Sequence, residues 1–277
     1  AATQGFQDAL TEKLGDRVEF DVQNASGESV NCSTIINGFV SDQVDLILAN
    51  ATGALQAAVA GTSDIPILGT AVTDYATALD IDDWTGTVGG NVSGTSDCAP
   101  LDQQAAMILE LVPEAKTVGM LYCSAEPNSE YQVNVVTEAL KELNPDLEIK
   151  NYTFADSNDI SSVATSATEC DVVYIPTDNT AANNTEAINN VMEPAGVPVI
   201  AGEVGICQGC GIATLSISYY DLGYTTGEMA YEILEEGADI STMEVQYAPN
   251  VTKQYMADRC EKLGITVPDD YEAIEAE

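Results

Sequence analysis

The stretch Thr117-Val118-Gly119-Met120-Leu121-Tyr122-Cys123-Ser124-Ala125-Glu126-Pro127-Asn128-Ser129, with residues 131–143 behind it, decides the fold. Residues 117–122 are mostly apolar, as a strand buried on both faces requires. Polar residues follow at once. Apolar side chains then recur at helical spacing until Asn144-Pro145 stops them. Working outward, the same unit recurs. Strand-like apolar runs fall at residues 18–22, 45–48, 65–72, 147–154, 172–175, 197–201 and 212–217. Helical periodicity occupies 99–111, 160–168, 180–191 and 222–236, with Ser157 or Asn158 as a cap and Gly237 as a stop. Strands alternating with helices predict an α/β fold with parallel sheets covered on both faces.

The chain has 277 residues, enough for two such domains. The series pauses at 85–97, where Gly, Ser and Thr dominate. That stretch reads as a flexible crossing, with later crossings near 218–221 and 247–250. The expectation is two Rossmann-like lobes joined by a three-segment hinge. The N-terminal lobe comprises 1–97 plus 219–247, and the C-terminal lobe 98–218 plus 248–277. A cleft between such lobes is a preferred place for a ligand.

Composition excludes several classes. Forty-five acidic residues against eight basic ones give a formal charge of −37. Nucleic acid and anionic lipid both require Lys and Arg, so neither is an expected partner. The chain has no histidine, which removes the commonest general base and the usual zinc and copper sites. No metal or cofactor is expected. No segment is long and apolar enough to span a bilayer. The opening residues lack the basic segment and apolar run of a signal peptide, so the leader of a secreted form is expected to precede them. Seven cysteines occur, an odd number that leaves at least one without an intramolecular partner. Cys123 and Cys170 read as buried thiols. Cys207-Gln208-Gly209-Cys210 is a lone C-x-x-C with no second pair to complete a metal site, and it reads as structural.

Open parallel sheets bind ligands beyond the carboxyl ends of their strands. Here those ends are Asn50 to Thr52, Thr73-Asp74-Tyr75, Ser124 to Glu126, Thr177-Asp178-Asn179, Gly202-Glu203 and Ser218-Tyr219-Tyr220-Asp221. Each alone is explained by helix capping. Together they suit a small zwitterion. The helices after Asn128-Ser129 and Thr177-Asp178 offer N–H groups to a carboxylate. Glu126, Asp178 or Glu203 would take an ammonium, and Tyr75, Tyr219 or Tyr220 would stack on a ring. Lys and Arg are absent from these clusters, which argues against a phosphate or dicarboxylate ligand.

The segments Ala71-Val72-Thr73-Asp74, Asn91 to Asp97, Leu121 to Ser129, Pro176 to Thr180 and Tyr219 to Gly227 run in order along the whole chain. They resemble the ABC-transporter substrate-binding family that includes tryptophan/tyrosine-binding lipoproteins. That resemblance implies a type I periplasmic-binding fold and an extracytoplasmic, monomeric protein. It implies a cell-surface or periplasmic protein that serves a membrane permease, with an aromatic amino acid as ligand. It assigns ligand contacts to Thr73, Asp74, Ser124, Glu126, Asn128, Ser129, Thr177, Asp178 and Asn179, and further to Glu203, Ser218 and Tyr219. Two features depart from the family pattern. Relatives carry a first strand and an acidic-His-Pro turn ahead of the helix that opens at Ala1, and this sequence does not include them. Ser218 stands where relatives often have Asp. The competing readings are a sensor lobe of the same fold, a binder of a sugar or nucleoside, and an enzyme working through carboxylates or through Cys207 and Cys210.

Overall fold

The computed structural model describes residues 1–248 and 250–274; Pro249, inside the expected crossing at 247–250, and the last three residues of the expected C-terminal lobe lie outside them. The chain divides into two compact units. Unit 1 comprises Ala1–Cys98 and Ser218–Asn250, and unit 2 comprises Ala99–Ile217 and Val251–Glu277. Unit 1 begins with α1 (Ala2–Leu14), α2 (Ser29–Asp42), β1 (Ile47–Asn50), α3 (Thr52–Gly61), β2 (Ile67–Val72), α4 (Tyr75–Leu79) and β3 (Val92–Ser96). Unit 2 carries α5 (Leu101–Leu111), β4 (Thr117–Cys123), α6 (Pro127–Leu143), β5 (Glu148–Phe154), α7 (Ile160–Ala167), β6 (Val172–Ile175), α8 (Asn179–Ala182), α9 (Thr185–Ala195), β7 (Val199–Ala201), α10 (Val204–Cys210) and β8 (Ala213–Ile217). The chain returns to unit 1 for α11 (Tyr219–Leu234) and β9 (Gln246–Tyr247). It finishes in unit 2 with β10 (Val251–Tyr255), α12 (Ala257–Leu263) and β11 (Glu272–Ala273).

Unit 1 holds a four-stranded parallel sheet in the order β1-β2-β3-β9. On one face Phe6, Leu10 and Leu14 of α1 and Met229 and Ala230 of α11 pack on Leu68 of β2. On the other, Ile36 of α2 and Leu55 and Ala58 of α3 pack on Ile47 and Ile67. The α1–α11 pair approaches so closely that a Cβ on Gly223 would sit 1.9 Å from the Ala2 carbonyl oxygen. Tyr220 and Tyr224 donate hydroxyls across the same seam to Asp8 and Glu12.

Unit 2 holds a seven-stranded sheet in the order β11-β10-β8-β7-β6-β4-β5, parallel except where β10 runs against β8. The strands β4 and β6 are buried nearly end to end, which explains why their sequences read as continuous apolar runs. A core of Leu121, Phe154, Ile160, Val173, Ile188, Met192 and Ile206 packs α7, α9 and α10 on this sheet.

Four expectations are corrected. Residues 85–97 are not a flexible crossing: they contain β3, every residue of which is buried between β2 and β9. The small residues make room for Tyr75, whose hydroxyl lies 2.3 Å from where a Gly94 Cβ would be and 2.4 Å from where a Gly69 Cβ would be. Residues 18–22 form no strand among the described residues; Val18 and Phe20 alternate inward onto the α1 face without a ladder partner. The helix expected at 180–191 is two, because the Asn183 and Asn184 side-chain amides bond back to the carbonyls of Asn179 and Thr180 and interrupt the backbone ladder. The residue preceding α7 is Asp159, without a side-chain cap, rather than Ser157 or Asn158; Asn158 instead donates to Asp156.

Charged side chains close both ends of α10. Glu203 accepts from the N–H groups of Gly205 and Ile206 at its start. At its end the Arg259 guanidinium donates to the carbonyls of Cys207, Gln208, Gly209 and Gly211. Cys207 and Cys210 are buried free thiols inside this helix. Burial pushes both upward, Cys210 to about 12, away from the thiolate form that redox chemistry uses.

Candidate functional site

The carboxyl ends of β2 and β3 lie side by side in unit 1, with Val72 in register with Ser96. Thr73 is buried, and its carbonyl accepts the Ser96 hydroxyl at 2.7 Å. Asp74 caps α4, its Oδ2 accepting from Thr77 N–H at 2.8 Å, and it stays partly exposed. Ser218 caps α11 in the same manner through Asp221 N–H.

Tyr75 does not offer a ring to a ligand. It is 1% exposed and donates its hydroxyl to the Thr95 carbonyl at 3.1 Å, deep in the unit 1 core. Its spacing from Asp74 suggested a strand-end aromatic, but an aromatic one residue into a helix also points back onto the sheet. Tyr220 is 40% exposed and engaged with Asp8 on α1. Tyr219 turns its hydroxyl to Asp97 Oδ2 at 2.8 Å.

Asp97 was not among the candidates. It follows β3, is 4% exposed, and leaves its Oδ1 buried without a hydrogen-bond partner. Burial raises its carboxyl, and the Tyr219 and Thr73 side chains pull it partly back. The neighbouring Cys98 thiol is pushed up to about 12, first by burial and then by the charges of Asp97 and Asp74. The available signal was an acid ending a run of small hydroxyl residues.

Unit 2 brings most of its expected residues together around the start of α8. Glu126, ahead of α6, accepts four hydrogen bonds: from Asn179 N–H and Nδ2 at 2.9 Å each, and from Thr180 N–H at 2.8 Å and Oγ1 at 2.7 Å. Asp178 accepts from Cys123 N–H at 2.7 Å, Ser129 Oγ at 2.8 Å and Ala181 N–H at 2.8 Å. Its carboxyl is pushed up to about 6 by burial and then by the charge of Glu126, against the pull of those three donors. Asn128 Nδ2 donates to the Thr177 carbonyl at 2.9 Å, and Thr177 Oγ1 to Gly202 O at 3.3 Å. Ser124, exposed beside this cluster, donates to Phe154 O at 3.3 Å. Gln132 was missed. One turn past Asn128, its amide accepts from Thr177 N–H and donates to the carbonyls of Thr177 and Asn128.

Two proposed roles change in consequence. The start of α8 is not an open anion site, because Glu126 and Asp178 already accept its N–H groups. The helix α6 begins at Pro127, so Asn128 and Ser129 sit inside its first turn with their side chains committed to Thr177 and Asp178. Among the described residues no group of three acidic or cysteine side chains is placed to hold a metal ion, and no helix is long and apolar enough to cross a membrane.

Comparison with known proteins gives a consistent result. A family model described as ABC transporter substrate binding protein matches residues 1–276. The tyrosine-binding protein of Clostridioides difficile is 37% identical over 238 residues, covering 84% of this chain and 68% of that protein. A solved ABC domain from Streptococcus pneumonia, crystallised in complex with L-Trp, has 30% identity and a TM-score of 0.90, covering 97% of this chain and 90% of that one. The ligand-free, open structure of a substrate-binding protein with adhesive properties from Clostridium difficile has 33% identity and a TM-score of 0.76, covering 100% and 95%.

Proposed function

The chain belongs to the ABC transporter substrate-binding protein family, with a type I periplasmic-binding fold, and from that premise we propose that it captures an aromatic amino acid for import. The family consists of binding proteins rather than enzymes. The observation that carries the ligand class is the agreement of two relatives, one named for tyrosine and one crystallised with L-Trp. Charge supports it. Eight basic residues in the whole chain, with Lys and Arg absent from the strand-end segments, suit a zwitterion better than a multiply charged anion.

The residues proposed to serve the ligand are Thr73, Asp74, Ser218 and Tyr219 in unit 1, and Ser124, Glu126, Asn128, Ser129, Thr177, Asp178, Asn179 and Glu203 in unit 2. Most of the unit 2 side chains act through structure: they hold backbone and hydroxyl groups in fixed positions. The protein works outside the cytoplasm as a monomer, held as a surface lipoprotein or free in the periplasm, and delivers its ligand to a membrane permease. Isothermal titration calorimetry against the twenty amino acids tests the reading. Micromolar or tighter affinity is expected for tyrosine, tryptophan or phenylalanine. Heats from an aliphatic amino acid or a sugar alone would reject it.

A further inference from the structure

Five acidic side chains at the strand ends, Asp74, Asp97, Glu126, Asp178 and Glu203, are separated by their hydrogen bonding. In unit 2, Glu126 accepts four donors and Asp178 three, and Glu203 accepts from two N–H groups of α10. Their lone pairs are directed at donors of the chain itself. In unit 1, Asp74 caps α4 through one oxygen and remains partly exposed. Asp97 accepts the Tyr219 hydroxyl on one oxygen and nothing on the other, although it is 4% exposed.

A buried carboxylate ordinarily has a cationic partner or several donors, because removing it from water is costly. Asp97 has neither. The groups that act on it are Tyr219, Thr73 and its own backbone, with no Lys or Arg among them. The other titratable groups around it, Asp74, Cys98 and Tyr75, carry negative charge or none. The environment therefore lacks one small cation with several donors. An alkylammonium has that form: three N–H groups around one charge.

Resting on the function proposed above, we infer that Asp97 receives the ammonium group of the ligand, with Asp74 and the Thr73 hydroxyl beside it. The acids of unit 2 keep their backbone partners. The protein thus selects ligands that carry a primary ammonium, and the aromatic ring alone does not suffice. Burial in a low-dielectric setting strengthens such a charge-assisted bond.

The test is calorimetry on the wild-type protein with tyrosine and tryptophan, and with their des-amino analogues 3-(4-hydroxyphenyl)propionate and indole-3-propionate. The same ligands are titrated into Asp97→Asn. Losing the ammonium is expected to weaken binding by about a hundredfold in the wild type, the upper range for a hydrogen-bonded charge. Asp97→Asn is expected to weaken the amino acids at least about tenfold while leaving the analogues unchanged, which narrows the gap between them. Should the variant fail to fold, Asp97→Glu replaces it in the same titrations, and equal affinity for amino acid and analogue in the wild type still overturns the inference. Equal affinity for amino acid and analogue, or undiminished amino-acid affinity in Asp97→Asn, overturns the inference and leaves the proposed function intact. A wild type that binds no aromatic amino acid overturns the proposed function, and the inference with it.

Discussion

Replacing Arg259 by Met removes one guanidinium and, with it, the carbonyl clamp on α10. Four bonds of 2.9 to 3.0 Å are lost, to Cys207, Gln208, Gly209 and Gly211. A hydrogen bond involving a charged group contributes about 1.5–3 kcal/mol. The four share one group, and that group is partly exposed, so they do not add. A cation at a helix C-terminus contributes a further ~0.3–1 kcal/mol. The expected cost is about 3 kcal/mol, since Met preserves the apolar stem and the loss is confined to the head group. For a domain of this size that corresponds to a fall in Tm of roughly 6–12 °C by calorimetry. Amide exchange at Gly211, whose N–H bonds Ile206 and Cys207 at the same helix end, should accelerate more than exchange in β4. Arg259→Lys should recover less than half, because an ammonium cannot fork to four carbonyls. A Met variant melting within about 2 °C of wild type would show that solvent replaces the clamp without cost, and the reasoning would be wrong.

Gly223→Ala places a Cβ against the Ala2 carbonyl, a backbone atom that cannot rotate away; chemical denaturation should report a loss of about 2 kcal/mol or more, with α1 detaching first by hydrogen exchange. For Asp178, the folded pKa of about 6 lies above the ordinary 3.8, so the folded protein takes up this proton before the unfolded chain does. Its contribution to stability therefore grows as pH falls from about 6 towards 3.8, and is least favourable at neutral pH. Thermal melts across that window should show the wild type gaining on Asp178→Asn as pH falls, and parallel curves would refute the assignment.

The legibility of this sequence follows from the range of the interactions involved. Strands β4, β6 and β8 are buried on both faces by helices from both sides, so their apolar runs are a local record of their place in the sheet. Strand β3 is buried just as fully, but its side chains are small because Tyr75 fills the space. That requirement comes from a residue about twenty positions earlier and is invisible in Val92–Ser96 itself. Residues 18–22 alternate correctly for a strand, yet nothing local states whether a ladder partner exists. Glu126, Ser129, Thr177 and Asp178 are legible in the sequence because each ends a strand or opens a helix. Their roles are not, because hydrogen-bond saturation depends on which donors the fold brings up. Asp97 is illegible for the same reason: Tyr219, whose hydroxyl it accepts, is 122 residues away. Gln132 is an ordinary polar residue on a helix until Thr177 is laid against it.

The filling of the α8 start by Glu126 and Asp178 has a kinetic consequence. Segments that a guest must freeze into place levy an entropic toll on arrival and melt on departure. Here seven intramolecular bonds hold that turn through the chain's own donors. If the proposed ligand meets this surface, it finds the turn already held. For a carrier that must surrender its cargo on every cycle, a turn held in this way favours rapid turnover over tenacious retention.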